Sequence, residues 1–327
     1  MASLLIGIYG FGSIGRLIAK EAVYRGFEIV GIVDIDPAIV GKTAGELLGV
    51  KDVSVKVSND ISTLRGAEVI IHATGSYLDK VYDQLAASLK LGADVISTCE
   101  TLAYPWFRYP VLARKLDEIA VKNGVAILGT GINPGFLLDA LVVTLSASVS
   151  GVKKVVAKRS VDAASRREPF RKKIGVGLTL EEALTGLRSG TLTGHVGYAE
   201  SAMLIADALG VQPSRVVESQ EPVIAETYVE SKGIRVEAGK VKGVRGSGIA
   251  YRADGEEMVR VEFEAYVGAS DYEEITIEGR EHKVVWKSSG TPGDAGTATV
   301  VLSIAEKLRS YGPGLLTIID LLPFRPR

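Results

Sequence analysis

One cysteine, Cys99, and three histidines, His72, His195 and His282, are the only thiol and imidazole groups in 327 residues. A single thiol excludes an internal disulfide and any cysteine-rich metal site. The histidines show no HExxH-type spacing, so no metal catalysis is expected. Amide side chains are nearly as scarce: Asn59, Asn123, Asn133, Gln84, Gln212 and Gln220 are the whole set, a bias that points to a thermophilic source. Neither sign of charge dominates. With 38 basic and 39 acidic side chains there is no net field to draw in nucleic acid or an anionic membrane. No apolar run reaches a membrane span, and the start "MASLLIGIYGFG" lacks the basic region and cleavage site of a signal peptide. These absences predict a soluble cytoplasmic protein acting on a small molecule.

What the chain does have is regular alternation. Up to residue 130, "LLIGIY", "FEIVGIVD", "VSVKVS", "AEVIIHAT", "ADVIST" and "VAILGT" read as six strands separated by helical patterns that stop at glycine. This predicts a Rossmann-type doubly wound parallel sheet over residues 1–140. From about residue 150 strands follow one another with short turns, from "VKKVVAKRSVDA" to "EHKVVWKSSG", with two helical patches near 178–189 and 197–209. The expectation is an α+β substrate and dimerisation domain over 141–293, built on an open, mainly antiparallel sheet. A helix starting near Asp294 in "GDAGTATVVLSIAEKLRSYG" is expected to open a segment, 294–327, that packs back on the first domain.

Gly10, Gly12 and Gly15 stand in GxGxxG spacing after the first strand. The first makes a tight turn, the second admits a pyrophosphate and the third lets the helix pack closely. The helix start at Ser13 and Ile14 offers free N–H groups to phosphate. Asp34, 19 residues beyond Gly15, is placed to bond the ribose hydroxyls, which favours NAD over NADP, although Lys42 stands near enough to help a 2′-phosphate. The alternative is that Asp34 and Asp36 only cap the next helix. "HATGS", "STCET" and "GTGINPGF" fall at strand ends where the cofactor's nicotinamide half would lie. His72 and Thr74 are the side chains of the first of these that can contact it, unless His72 is simply satisfied by backbone.

Cys99 and Glu100 compete for the chemistry of "STCET". A nucleophilic thiol needs a stabilised thiolate, and a neighbouring carboxylate does the opposite, so Cys99 reads as a packing residue. Glu100, under the aromatics Tyr104, Trp106 and Phe107, is expected in a partly dry pocket where its pKa rises and it can move protons. The alternative is a solvated first-turn acid.

The stretches "IYGFGSIG", "DIDPAIVGK", "HATGSY", "STCETLAYPW", "GTGINPGF", "RREPFRKKIGVGLT", "GHVGYAESA" and "DAGTATVV" resemble, in order, the 2,4-diaminopentanoate dehydrogenases and native NAD(P)-dependent amine dehydrogenases, a group with the dihydrodipicolinate reductase type of fold. The resemblance implies reversible oxidative deamination of an amine, with Glu100 as acid/base. It implies that Asn133 lies beside the cofactor and that Ile132, Phe136 and Leu137 line the pocket. It also implies that His195 and Thr297 close the pocket from the second domain. A diamino acid would need a carboxylate anchor: Arg159 is the leading candidate, with Arg166 and Arg167 equally readable as a solvated face. No paired histidine occurs, which argues against dihydrodipicolinate reduction itself. Two other readings stand beside this one: a cyclic imine reductase, and an NAD(H)-sensing protein without turnover. A homodimer formed through residues 215–290 is expected, with no nucleic-acid or membrane partner.

Overall fold

The structure, a computed structural model, describes residues 3–50 and 53–323. Contacts group it into two units, Met1–Phe136 with Asp294–Leu321, and Leu137–Gly293 with Leu322–Arg327. Residues 324–327 of the expected C-terminal segment lie outside the described residues.

The first unit is a seven-stranded parallel sheet. Its strands are β1 (Leu5–Tyr9), β2 (Glu28–Val33), β3 (Val57–Ser58), β4 (Val69–His72), β5 (Asp94–Ser97), β6 (Ala126–Gly129) and, from the far end of the chain, β15 (Gly314–Leu316). The order is β15-β6-β5-β4-β1-β2-β3. Six of these strands lie within the six apolar runs of the sequence. The seventh, β15, was not legible there, because three residues carry too little pattern to read.

Helices α1 (Ser13–Tyr24), α2 (Ala44–Leu48), α3 (Leu78–Leu89), α4 (Pro105–Arg108) and α5 (Pro110–Asn123) connect the strands. Both faces of the sheet are buried, and the strand period sorts side chains between them. Val69, Ile71, Ile96 and Leu128 join Ile18, Ala19 and Ala22 of α1 on one face. Ile70, Val95 and Ile127 join Leu85, Leu89, Leu116 and Ala120 of α3 and α5 on the other. Each fully buried Ile or Leu stabilises the fold by about 1.5–3 kcal/mol. The last helix, α10 (Gly293–Ala305), places Ala298, Val301, Leu302 and Ala305 in the α1 face of this core.

The second unit begins with α6 (Ala140–Ser146) and continues with β7 (Lys154–Asp162), α7 (Glu168–Lys173), α8 (Leu180–Ser189) and α9 (Tyr198–Ala208). Then come β8 (Arg215–Ile224), the ribbon β9 (Val229–Ser231) and β10 (Ile234–Val236), β11 (Val241–Tyr251), β12 (Glu257–Tyr266), β13 (Tyr272–Glu278) and β14 (Lys283–Ser288). Six strands make a sheet in the order β14-β13-β7-β12-β11-β8. All neighbours are antiparallel except β7 and β12, so the sheet is mainly antiparallel with one parallel seam.

One face of this sheet is covered by α9, and two glycines make the close approach possible. A Cβ on Gly248 would stand 2.3 Å from the Tyr198 carbonyl oxygen, and one on Gly246 2.7 Å from the Tyr198 hydroxyl. The other face carries charge rows. Across it, Glu262 pairs with Lys158, Lys158 with Glu274, and Glu274 with Lys287.

Candidate active site

Because all strands of the first sheet are parallel, the segments that follow β1, β4, β5 and β6 share its carboxyl edge. The strand order reverses between β1 and β4, the position at which open α/β sheets hold ligands. Backbone bonds lace these segments together: Ala73 N–H to Tyr9 O at 2.8 Å, Thr98 N–H to His72 O at 2.9 Å, and Thr130 N–H to Ser97 O at 2.9 Å.

The three glycines of the first turn have three different surroundings. Gly10 has φ +96°, and a Cβ there would stand 2.6 Å from the Ala73 carbonyl oxygen. At Gly15 a Cβ would stand 1.9 Å from the Gly10 carbonyl oxygen, so helix and turn touch at bare backbone. Gly12 faces open space: a Cβ built on it would meet no atom of the other described residues beyond its chain neighbours within 4 Å. It is also the N-cap of α1 and makes no side-chain cap, and Ser13 beside it is exposed while Ile14 is half-buried. A helix N-terminus without a side-chain cap under an open glycine suits a dinucleotide pyrophosphate.

Asp34, just after β2, accepts the Phe11 N–H at 2.5 Å and the Asp36 N–H at 2.9 Å. It therefore stands against the glycine turn. Neither aspartate caps the next helix: Thr43 caps α2, in a capping box with Glu46, while Asp36 accepts the Ala38 N–H.

Cys99 and Glu100 part company in three dimensions. Cys99 is fully buried, and desolvation, with the Glu100 charge beside it, pushes its thiol up to about 12. A thiol held protonated in this way is no nucleophile at neutral pH. Glu100 opens a short 3-10 turn, Glu100–Leu102, and is half-buried. The turn rests on bare backbone at the end of β6, where a Cβ on Gly129 would stand 2.4 Å from the Leu102 carbonyl carbon. The aromatics do not seal it as expected: Tyr104 is half-buried, but Trp106 is 37% and Phe107 39% exposed.

The loop after β6 folds on itself. Its Asn133–Pro134 bond is cis, and at Gly135, with φ +126°, a Cβ would stand 2.4 Å from the Gly131 nitrogen. Ile132 is buried and its N–H donates to Thr297 Oγ1 at 3.3 Å. Thr297 thus belongs to the first unit, in α10, and not to the second domain's side of a pocket as the resemblance implied. Asn133 is half-buried, Phe136 is exposed, and Leu137, the first residue of the second unit, is buried.

His72 corrects another expectation. It is fully buried, with Nδ1 2.8 Å from Ser97 Oγ and Nε2 2.8 Å from Gln84 Oε1, and so presents no ring atom to a cofactor. Thr74, which is exposed, keeps its place at the edge. Burial holds the His72 pKa down at about 4. The unfolded chain therefore takes up a proton near pH 6.5 that the folded chain refuses, and stability present above pH 6.5 is lost as pH falls towards 4. The loss amounts to about 3 kcal/mol. Guanidinium titrations at pH 7 and pH 4.5 should show it, with a smaller drop in His72→Gln; equal drops in both proteins would refute the assignment.

Two candidates lie in the second unit. His195 is buried, its ring edge-on to Tyr198 at 4.7 Å and tilted on Phe263 at 4.3 Å. Burial, aided by the charges of Lys173, Arg159 and Arg166, holds its pKa well below the usual value. Arg159 is not a surface anchor for a substrate. Its Nε lies 3.2 Å from Glu273 Oε1, both side chains being 1% exposed, and its Nη2 donates to the Thr291 carbonyl at 2.8 Å. Glu273 in turn accepts the Thr291 N–H at 3.1 Å and the Ser288 hydroxyl. Arg166 and Arg167 are half-buried, and Arg166 stacks on Phe170 at 4.3 Å, so a purely solvated face does not describe them.

Sequence reasoning missed Gln84, Ser97 and Glu273. Composition held one hint, since Gln84 is one of only three glutamines.

Comparison with known proteins supplies the lineage. The family described as the 2,4-diaminopentanoate dehydrogenase C-terminal domain matches residues 136–325, and the dihydrodipicolinate reductase N-terminus matches residues 4–99. A 2,4-diaminopentanoate dehydrogenase of Acetoanaerobium sticklandii is 31% identical, over 98% of this chain and 94% of its own. The chain belongs to the 2,4-diaminopentanoate dehydrogenase family. Among solved structures of similar fold, an amine dehydrogenase from Mycobacterium smegmatis superposes with TM-score 0.87 at 23% identity, covering 100% of this chain and 98% of that one. GenD2 of gentamicin A biosynthesis, solved with NAD, gives 0.57 at 14% identity over 98% and 90%. The family assignment agrees with the fold, a parallel Rossmann sheet followed by a mixed sheet. Among the described residues no helix is long and apolar enough to cross a membrane.

Proposed function

We propose that this member of the 2,4-diaminopentanoate dehydrogenase family is an NAD(P)-dependent amine dehydrogenase. It would convert a small amine such as 2,4-diaminopentanoate, with water, to the ketone and ammonium, reversibly. The observation that carries this reading is a half-buried carboxylate, Glu100, at the carboxyl edge of a nucleotide-type sheet, next to a thiol too buried to act.

The glycine turn and the α1 N-terminus would hold the pyrophosphate, and Asp34 the adenosine ribose, where a carboxylate repels a 2′-phosphate and favours NAD. Thr74 and Asn133 would flank the nicotinamide half, and Ile132 and Phe136 would shape the substrate's surroundings. Bound nicotinamide supplies the hydride acceptor for the carbon that carries nitrogen. Glu100 removes a proton from the substrate ammonium, which frees the nitrogen lone pair to expel that hydride. Once that proton has passed on to solvent, the restored carboxylate offsets the charge on the iminium nitrogen until water adds. In reverse, the same carboxylate holds ammonia and returns the proton.

Oxidation of NADH and NADPH by purified protein with 2-amino-4-oxopentanoate, with and without ammonium, tests this. Turnover is expected only with ammonium and faster with NADH. Ammonium-independent reduction of cyclic imines would sink the reading in favour of an imine reductase, and coenzyme binding without any turnover in favour of a sensor.

We also infer a homodimer, formed through the open face of the second sheet. That face alternates acid and base along Glu262, Lys158, Glu274 and Lys287, a pattern that complements itself when turned about a two-fold axis. Sedimentation at micromolar concentration should give twice the chain mass; a monomer there rules the interface out.

A further inference from the structure

His72 ends β4 in the middle of the first sheet, with no exposed surface, and polar groups from three other segments are gathered around its ring. Nδ1 meets Ser97 Oγ at 2.8 Å. Nε2 meets Gln84 Oε1 at 2.8 Å and Thr74 Oγ1 at 2.9 Å, and the Thr74 hydroxyl donates to Gln84 Oε1 at 2.6 Å. Ser97 Oγ also accepts the Cys99 N–H at 3.1 Å. A leucine of similar bulk would fill a core position here without the cost of desolvating an imidazole.

The partners fix where each proton sits. Gln84 Oε1 can only accept, so Nε2 carries the ring proton and Nδ1 is left with its lone pair. Ser97 must then donate to Nδ1, and this leaves its oxygen free to accept the Cys99 N–H. The two ring nitrogens lead to different parts of the edge. Nδ1 acts through Ser97 on the Thr98–Cys99 peptide, one residue ahead of Glu100. Nε2 acts on Thr74, whose methyl lies against Gly10, 2.8 Å from a Cβ built there. On its other side the Glu100 turn is tied down by Thr101, whose N–H donates to Ser76 O at 3.1 Å and whose Oγ1 accepts the Leu78 N–H at 2.8 Å.

We propose that His72 is a positioning residue: its buried imidazole, held as the Nε2–H tautomer, fixes the turn that carries Glu100 in register with Thr74 and the glycine turn. The ring touches neither substrate nor coenzyme and acts through Ser97 on one and Thr74 on the other. The proposal rests on Glu100 as the acid/base.

The two arms can be cut separately. Ser97→Ala is expected to lower kcat by about 10- to 100-fold, the scale of a misplaced catalytic group, with the Kd for NADH, read by fluorescence, unchanged. Thr74→Val, which removes the hydroxyl's bonds to Nε2 and to Gln84, should weaken NADH about three- to tenfold, a loss that Ser97→Ala does not show. His72→Leu should show both losses. His72→Asn, whose carbonyl can take the place of Nδ1 and accept from Ser97, should recover kcat but not NADH affinity. If His72→Leu does not fold, Ser97→Ala and His72→Asn still decide.

Glu100→Gln belongs in the same series. If it is inactive while Ser97→Ala and His72→Asn keep kcat within twofold of wild type and NADH binding is unmoved in His72→Asn, the positioning role is wrong and the acid/base reading survives. Parallel loss of kcat and NADH affinity in Ser97→Ala, with no recovery in His72→Asn, would reduce His72 to a structural residue. Full turnover in Glu100→Gln overturns the acid/base reading and this proposal with it.

Discussion

Replacing Glu100 with glutamine should lower ammonium-dependent turnover by about 10²–10⁴-fold, the usual worth of a positioned acid/base. The amide keeps the size and the hydrogen-bonding reach of the carboxylate but can neither take a proton nor carry the charge that offsets an iminium. The loss should therefore fall on kcat and on kcat/KM alike, since the interaction is made at the reacting nitrogen, while NADH binding stays as it was. In the proposed site, coenzyme binding would lie with the glycine turn, where Gly12 and the α1 N-terminus face open space. Cys99→Ala is the control for the competing assignment. Cys99 is fully buried and its thiol is held protonated, so losing it should cost packing and leave the rate nearly intact. A Cys99→Ala protein without turnover, beside an active Glu100→Gln protein, would reverse the two roles.

Truncating Glu273 to alanine should destabilise the second unit by about 3–5 kcal/mol, the cost of leaving a buried charge without its partner. Glu273 and Arg159 both have side chains 1% exposed, and together they hold Ser288 and Thr291 in the segment between β14 and α10. The double variant Arg159→Met with Glu273→Leu, which removes both charges, should recover most of the loss. Urea unfolding of the wild type, Glu273→Ala and the double variant measures the loss and its recovery. A cost below about 1 kcal/mol for Glu273→Ala would mean that the pair behaves like a surface ion pair. The same variants address the abandoned role of Arg159. A substrate anchor would change KM for carboxylate-bearing amines while leaving stability unaltered, the opposite of the expected pattern.

Both residues show how far local pattern reaches. "KRSVDAASRRE" presents Arg159 in a run of charges, and the expectation was a guanidinium available to anchor a substrate carboxylate. The side chain turns instead to the covered face of β7 and meets a glutamate from β13, more than a hundred positions along the chain. His72 looked like a lone histidine at a strand end, and it is one, but its partners come from α3 and β5. Thr297 lies in the helix that the sequence already sent back to the first sheet, but its partner there, the Ile132 N–H, is 165 positions away.

The sequence by itself determined the alternation of strand and helix, the glycine turn, Asp34 beside it, and the disqualification of Cys99 by its neighbour. Each of these follows from spacing along the chain: a two-residue strand period, a GxGxxG spacing, an acid 19 residues beyond its last glycine, a carboxylate adjoining a thiol. Even the mainly antiparallel character of the second sheet follows from strands joined by short turns. Only the tertiary structure decided the seventh strand, the parallel seam of β7 with β12, the pairing of Arg159 with Glu273 and the proton order around His72. Those depend on which distant segments a buried polar group finds when water is gone. Desolvation forces every such group to find a partner, but nothing local says which partner it will be.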